Sequence, residues 1–271
     1  MPILPTEGRH LLHLFLRVDY SSWNDFSQEE QIKQRSSFGK IIAEIQALPQ
    51  TTLLSFSMLT PKADLGFMLI TPDLQELDRA SKRLERSLGD GVLLPTFSWL
   101  SMTERSEYGM NEQEYALKLK EEGDDPATPD FEEKIQAFGD RIAKYTQERL
   151  YPTLPQAEEW PVFCFYPMSK RRDVGQNWYA LSLEARKKLM QGHAMVGRRY
   201  AGRVRQLITG STGLDDQEWG VSLFAKTTSS IKEIVYEMRF DEVSVHYAQF
   251  GEFFIGIQMG VQQLLERLGM L

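Results

Sequence analysis

Apolar and polar residues alternate from Leu11 to Val18, so that Leu12, Leu14, Leu16 and Val18 share one face, the period-two signature of a half-buried strand. From Gln28 to Leu48 the apolar spacing lengthens to that of a helix, carried by Ile32, Phe38, Ile41, Ile42 and Ile45. Thr51 to Leu59 and Leu65 to Ile70 read as two strands, with the turn Thr60-Pro61-Lys62-Ala63-Asp64 between them. Leu74 to Leu88 is a charged amphipathic helix, and Val92 to Met102 is another strand. The predicted order is β-α-β-β-α-β, the ferredoxin-like arrangement.

Residues 104–159 break this pattern. An acidic run, Glu121-Glu122-Gly123-Asp124-Asp125-Pro126, precedes a helical stretch from Phe131 to Leu150. The second half then repeats the first in pattern. Val162 to Tyr166 is a strand, and Ser182 caps a helix reaching about Tyr200 with Glu184 in its first turn. Arg203 to Thr209 and Trp219 to Ala225 are strands, Ile231 to Phe240 a helix, and Phe250 to Ile257 a strand. A last helix holds Val261, Leu264, Leu265 and Leu268. The sequence therefore predicts an α+β protein of two ferredoxin-like units: residues 1–103, an acidic helical linker over 104–159, and residues 160–271.

Charge separates the halves. Residues 1–159 carry 17 Lys and Arg against 27 Asp and Glu, whereas residues 160–271 carry 14 against 11. The overall net charge of -7 argues against a nucleic-acid partner, and the basic bias places an anionic ligand in the second half. Cys164 is the single cysteine, which excludes an intrachain disulfide and a cysteine-based zinc cluster. No apolar stretch reaches the roughly 18–20 residues of a membrane span. The start, Met1-Pro2-Ile3-Leu4-Pro5, lacks a basic region followed by an apolar one, so the expectation is a cytoplasmic protein.

His193 shares a helical face with Leu189, Val196 and Tyr200 and points inward. A lone inward histidine is most simply a core residue. No second ligand stands at zinc spacing on that helix, but one histidine suffices as the axial ligand of a haem. Phe163 to Arg172 runs from an apolar strand into a basic cluster. With period two, Cys164, Tyr166, Met168 and Lys170 face one side, either an ordinary buried face or a pocket wall with a phenol inside and a cation at the rim. Gln206 stands between Val204 and Ile208 where an apolar residue is expected, which predicts a buried amide that either bonds a neighbouring strand or loop or serves as a donor in a pocket. Gly210-Ser211-Thr212-Gly213 lacks the context of a phosphate-binding loop and reads as a turn.

The chain resembles the chlorite dismutase superfamily, and within it the coproheme decarboxylase branch. The resemblance rests on Tyr166-Pro167-Met168-Ser169-Lys170, Asn177-Trp178-Tyr179, His193-Ala194-Met195-Val196-Gly197-Arg198, Tyr200-Ala201-Gly202, Gly213-Leu214-Asp215-Asp216, Glu218-Trp219-Gly220-Val221 and Tyr236 to Glu242. It is dense from about Arg149 to Gly256. It implies two ferredoxin-like units whose antiparallel sheets form a dimeric α+β barrel, haem held in the second unit, and a homopentamer. It implies a peroxide-driven oxidative decarboxylation of two propionates of iron-coproporphyrin III, through a three-propionate intermediate, to give haem b. On the same basis His193 falls on the iron ligand and Tyr166 on the redox-active tyrosine. Arg149, Met168, Lys170, Arg239 and Ser244 fall on positions that touch propionates, and Gln206 on the distal position. Gln217 departs from the family, which carries an aromatic residue before the Glu-Trp-Gly run. The alternatives are a chlorite dismutase, whose distal residue is an arginine, and a haem carrier or sensor without turnover.

Overall fold

A computed structural model describes residues 1–271. The first unit contains β1 (His10–Val18), α1 (Tyr20–Asn24), α2 (Gln28–Gln46), β2 (Thr52–Met58), β3 (Leu65–Thr71), α3 (Leu74–Glu85) and β4 (Leu93–Met102). Two helices follow, α4 (Glu112–Glu121) and α5 (Pro129–Leu150). Next come β5 (Val162–Lys170), the small hairpin β6 (Arg172–Asp173) and β7 (Gln176–Asn177), and a 3-10 turn at Trp178–Ala180. The second unit continues with α6 (Leu183–Arg199), β8 (Val204–Gly210), β9 (Trp219–Ala225), α7 (Thr228–Met238) and α8 (Glu242–Tyr247). It closes with β10 (Ala248–Phe250), β11 (Phe254–Gln258) and α9 (Val261–Arg267).

The helices begin where side chains can satisfy the first free backbone N–H groups. Ser27 and Glu30 form a reciprocal capping box at α2, and Ser182 accepts from the Ala185 N–H at α6, as its position in the sequence predicts.

The strand order β4-β1-β3-β2 in the first unit and β11-β5-β9-β8 in the second is the ferredoxin-like order, with every pairing antiparallel. The two sheets join at both edges. β2 pairs with β11 through Met58–Gly256, Ser57–Ile257 and Phe56–Gln258, and β4 meets β8 at Met102–Gly210. Eight strands thus close into one barrel, which removes the exposed edges each sheet would otherwise present.

Alternation sorts side chains to the two faces of this barrel. Leu11, Phe15, Phe56, Trp99, Phe163, Phe165 and Phe224 fill the interior. Leu14, Leu16 and Val18 point outward against α2 and α3, and Leu264, Leu265 and Leu268 of α9 complete that same core. The outer face of the second sheet carries Cys164, Tyr166, Val204, Val221 and Leu223 against Val196 of α6 and Ile231, Ile234 and Met238 of α7. Burial of such a side chain contributes about 1.5–3 kcal/mol.

The stretch expected as one strand from Phe250 to Ile257 is instead β10 and β11. Phe250 pairs with Met168 and Phe254 with Phe165, so three residues, Gly251, Glu252 and Phe253, oppose only Tyr166 and Pro167. This is a bulge of one residue. Gly251 stands at the close approach, where a Cβ would lie 2.8 Å from the Pro167 ring. The helix predicted over Ile231–Phe240 starts earlier and ends at Met238. No helix is long and apolar enough to cross a membrane.

Candidate functional site

The outer face of the second sheet gathers most of the residues singled out above. Along β5 the period-two reading holds: Cys164 and Tyr166 face α6 and α7, with Met168 packed at the edge of the same cluster. The bulge lays the Phe253 ring on Tyr166, with centroids 4.4 Å apart, and Phe250 lies 5.7 Å away. Tyr166 is only 4% exposed. Burial raises its phenol above the ordinary range, Cys164 adds to this, and the Arg239 cation opposes it. Arg239, exposed at the end of α7, stacks its guanidinium on Phe250 at 3.7 Å.

Lys170 lies at the end of β5. Its ammonium rests over the Trp178 ring at 4.7 Å and makes no ion pair, although the residue is buried. Burial pushes it down to about 8, against the smaller opposing pull of Asp241 and Glu218. The Trp178 indole N–H donates to the Tyr108 hydroxyl at 3.3 Å, which ties the segment after β4 to this rim.

His193 lies on the α6 face that also carries buried Val196 and Tyr200. It is partly exposed, at 28% of its side chain, and opens on a cavity of about 490 Å³ that Asp241 also lines. Its Nδ1 is 3.0 Å from Asp241 Oδ2. Asp241 caps α8, its Oδ1 accepting from the Val243 and Ser244 N–H groups, and Oδ2 accepts the Ser244 hydroxyl at 2.8 Å. Burial alone would raise this carboxyl. The hydrogen bonds from His193 and Ser244 outweigh it and hold Asp241 below the usual carboxylate range. With Nδ1 engaged by the carboxylate, Nε2 is the nitrogen left to act as a ligand.

Gln206 shares the face of Val204 and Ile208, as its spacing predicts, but it is exposed. Its amide nitrogen would lie 3.1 Å from a Cβ at Gly197, one helical turn beyond His193. Gly197 has no side chain to cover the amide, which corrects the expectation of burial. Arg149 stands in the last turn of α5. Its Nε donates to the Glu104 carbonyl at 3.2 Å and its guanidinium rests over Tyr145. Ser244 is occupied by Asp241.

Sequence reasoning gave no role to Asp241, Trp178 or Glu218. Asp241 carried a usable signal, an acidic cap directly before a short helical run. No three or more His, Cys, Asp or Glu side chains are grouped so as to hold a metal ion.

A family model described as chlorite dismutase matches residues 31–259, and the chain belongs to that family. The fold is similar to a heme-binding protein from Thermus thermophilus, with 34% identity, a TM-score of 0.79 and 99% of each chain covered. It is also similar to a mutant chlorite dismutase from Candidatus Nitrospira defluvii, with 16% identity, a TM-score of 0.72, and coverage of 97% of this chain and 96% of the other. The imidazole complex of the same organism's chlorite dismutase matches at 17% identity and a TM-score of 0.70, over 97% and 96%. At those identities the last two speak for the fold alone.

Proposed function

We propose that the outer face of the second sheet binds an iron porphyrin, and that the protein is a coproheme decarboxylase. It would use hydrogen peroxide to convert two propionates of iron-coproporphyrin III to vinyl groups, giving haem b. The observation that carries this reading is Lys170, a buried ammonium without an ion pair, on the same strand face as the buried phenol Tyr166. A buried cation in that state is built to receive an anion. The match to a relative described as heme-binding supports the ligand class.

The residues fit such a ligand. His193 would hold the iron through Nε2, with Asp241 orienting the ring through Nδ1. Lys170 and Arg239 supply cations for carboxylates, one buried and one exposed. The bound iron, with peroxide, supplies the oxidising power. Tyr166 would lose a proton and an electron, then take a hydrogen atom from the β-carbon of the propionate held by Lys170. Loss of carbon dioxide and a second electron leaves the vinyl group. Each propionate thus gives up two electrons and one proton, and one peroxide is reduced to two waters. Arg149 and Ser244 make protein contacts instead, and would reach propionates only after exchanging them. The same reading assigns a homopentamer.

Incubation of the protein with iron-coproporphyrin III and peroxide, followed by mass spectrometry of the porphyrin, tests the proposal. Two successive losses of carbon dioxide with two hydrogens are expected. A bound porphyrin that survives excess peroxide with all four propionates would overturn it.

A further inference from the structure

Glu218 is 7% exposed and lies directly before β9, where its side chain would be expected to meet water. It instead joins three segments. Its backbone N–H donates to the Met168 carbonyl at 3.1 Å, and its own carbonyl accepts the Ser211 N–H at 2.8 Å. Its Oε2 accepts the Lys170 backbone N–H at 2.7 Å, and the Tyr179 phenol lies near its carboxylate. Tyr179 adjoins Trp178, the ring on which the Lys170 ammonium rests. One buried carboxylate therefore fixes the strand end that carries Lys170, next to the turn that carries its aromatic platform.

We propose that Glu218 is a positioning residue for Lys170, holding the ammonium on the Trp178 face and balancing its charge at the rim where an anionic group of a porphyrin is to dock. The inference rests on the porphyrin-binding reading above. The charged groups facing the ammonium are Glu218 from the start of β9 and Asp241 from the start of α8, and neither forms an ion pair with it. Tyr179 and Tyr108 bound the platform, with Arg172 beside Tyr179. An acid fully paired with Lys170 would compete with an incoming carboxylate. Glu218 avoids this by committing a carboxylate oxygen to the backbone, and acts on the ammonium through space.

The charge has a pH consequence. Lys170 loses its proton near pH 8, so affinity for an anion should fall above that value. Glu218→Gln keeps an oxygen for the Lys170 N–H but removes the negative charge, so the fall should begin at lower pH. Binding of iron-coproporphyrin III to the full chain, followed by its absorption spectrum from about pH 6 to about pH 9.5, reads this directly. The expected result is a midpoint displaced by about half a unit or more in Glu218→Gln, with affinity at low pH within about threefold of the parent. Tyr179→Phe, which removes the phenol beside the carboxylate, should leave the midpoint at or above the parent value. A uniform loss of affinity across the pH range in Glu218→Gln, or an unmoved midpoint, would overturn the proposal while leaving the porphyrin site intact. No binding by the parent protein at any pH would instead overturn the porphyrin reading.

Discussion

His193 and Asp241 are 48 positions apart in the chain, yet Nδ1 of one lies 3.0 Å from Oδ2 of the other. The same carboxylate caps α8, so the contact that orients the imidazole and a helix start share one side chain. The two roles separate by substitution. Asp241→Asn retains a capping side chain and should cost less than about 1 kcal/mol in denaturant unfolding, whereas Asp241→Ala should cost about 1–2 kcal/mol. In both, the iron–histidine stretch of a ferrous porphyrin complex should fall in resonance Raman spectra, because the ring has lost its anionic partner. An unchanged stretch would show that His193 does not ligate iron, or that Asp241 does not tune it.

Removal of the imidazole is the harsher test. His193→Ala should bind iron porphyrin more weakly and alter its Soret band. The residue is partly exposed, so the fold should survive with a stability change within about 1 kcal/mol. The same affinity and spectrum in the variant would exclude an axial role.

Tyr166→Phe keeps the ring that packs on Phe253 and Phe250 and deletes only the hydroxyl. Stability should change by about 1 kcal/mol or less. Iron-coproporphyrin III should still bind and peroxide should still be consumed, but almost no haem b should form. Porphyrin mass spectra after excess peroxide separate this outcome from that of a tyrosine which only fills the core, for which product would form at the parent rate.

Gln206 bears on the chlorite alternative. An amide supplies no positive charge to hold an anionic oxychlorine species. With haem b bound, oxygen evolution from chlorite should be negligible at an oxygen electrode, and sustained evolution would move the assignment to a chlorite dismutase.

His13 makes a prediction unrelated to the ligand. It is fully buried in the barrel interior, stacked on Phe165 at 3.9 Å, with Nε2 2.9 Å from the Ser222 hydroxyl. Burial pushes it down to about 3. In the unfolded chain it titrates near about 6.5, so below that pH only the unfolded state takes up the proton. Its contribution is complete above about pH 6.5 and is lost as pH falls toward 3. From about pH 6.5 to about pH 4.5 this amounts to roughly 2–3 kcal/mol. His13→Phe should flatten that part of the stability–pH profile in urea unfolding. Parallel profiles would exclude His13 as the source.

Local signals were legible and distant coincidences were not. The alternation from Cys164 to Lys170 placed Tyr166 and Lys170 on one face, and Ser182 marked the start of α6, because both follow from dihedral geometry within a few residues. The bulge at Gly251–Phe253 was invisible, since it is a mismatch in residue count between two strands far apart in the chain. The pairing of His193 with Asp241 was hidden for the same reason. Gln206 was given the right face and the wrong burial, because its cover depends on what stands opposite. A glycine at 197 on another element leaves that place open.

The placement of α9 bears on how the chain is made. Leu264, Leu265 and Leu268 belong to the core under α2 and α3, and Arg35 and Tyr20 donate to the carbonyls of Met270 and Leu268. A chain leaves the ribosome in sequence order, so the β1–β4 unit waits for α9, made after the whole second unit, before its core is sealed. A ribosome stalled before the codon for Gly260 would present β1–β4 with an apolar face still open to chaperones, however long it paused.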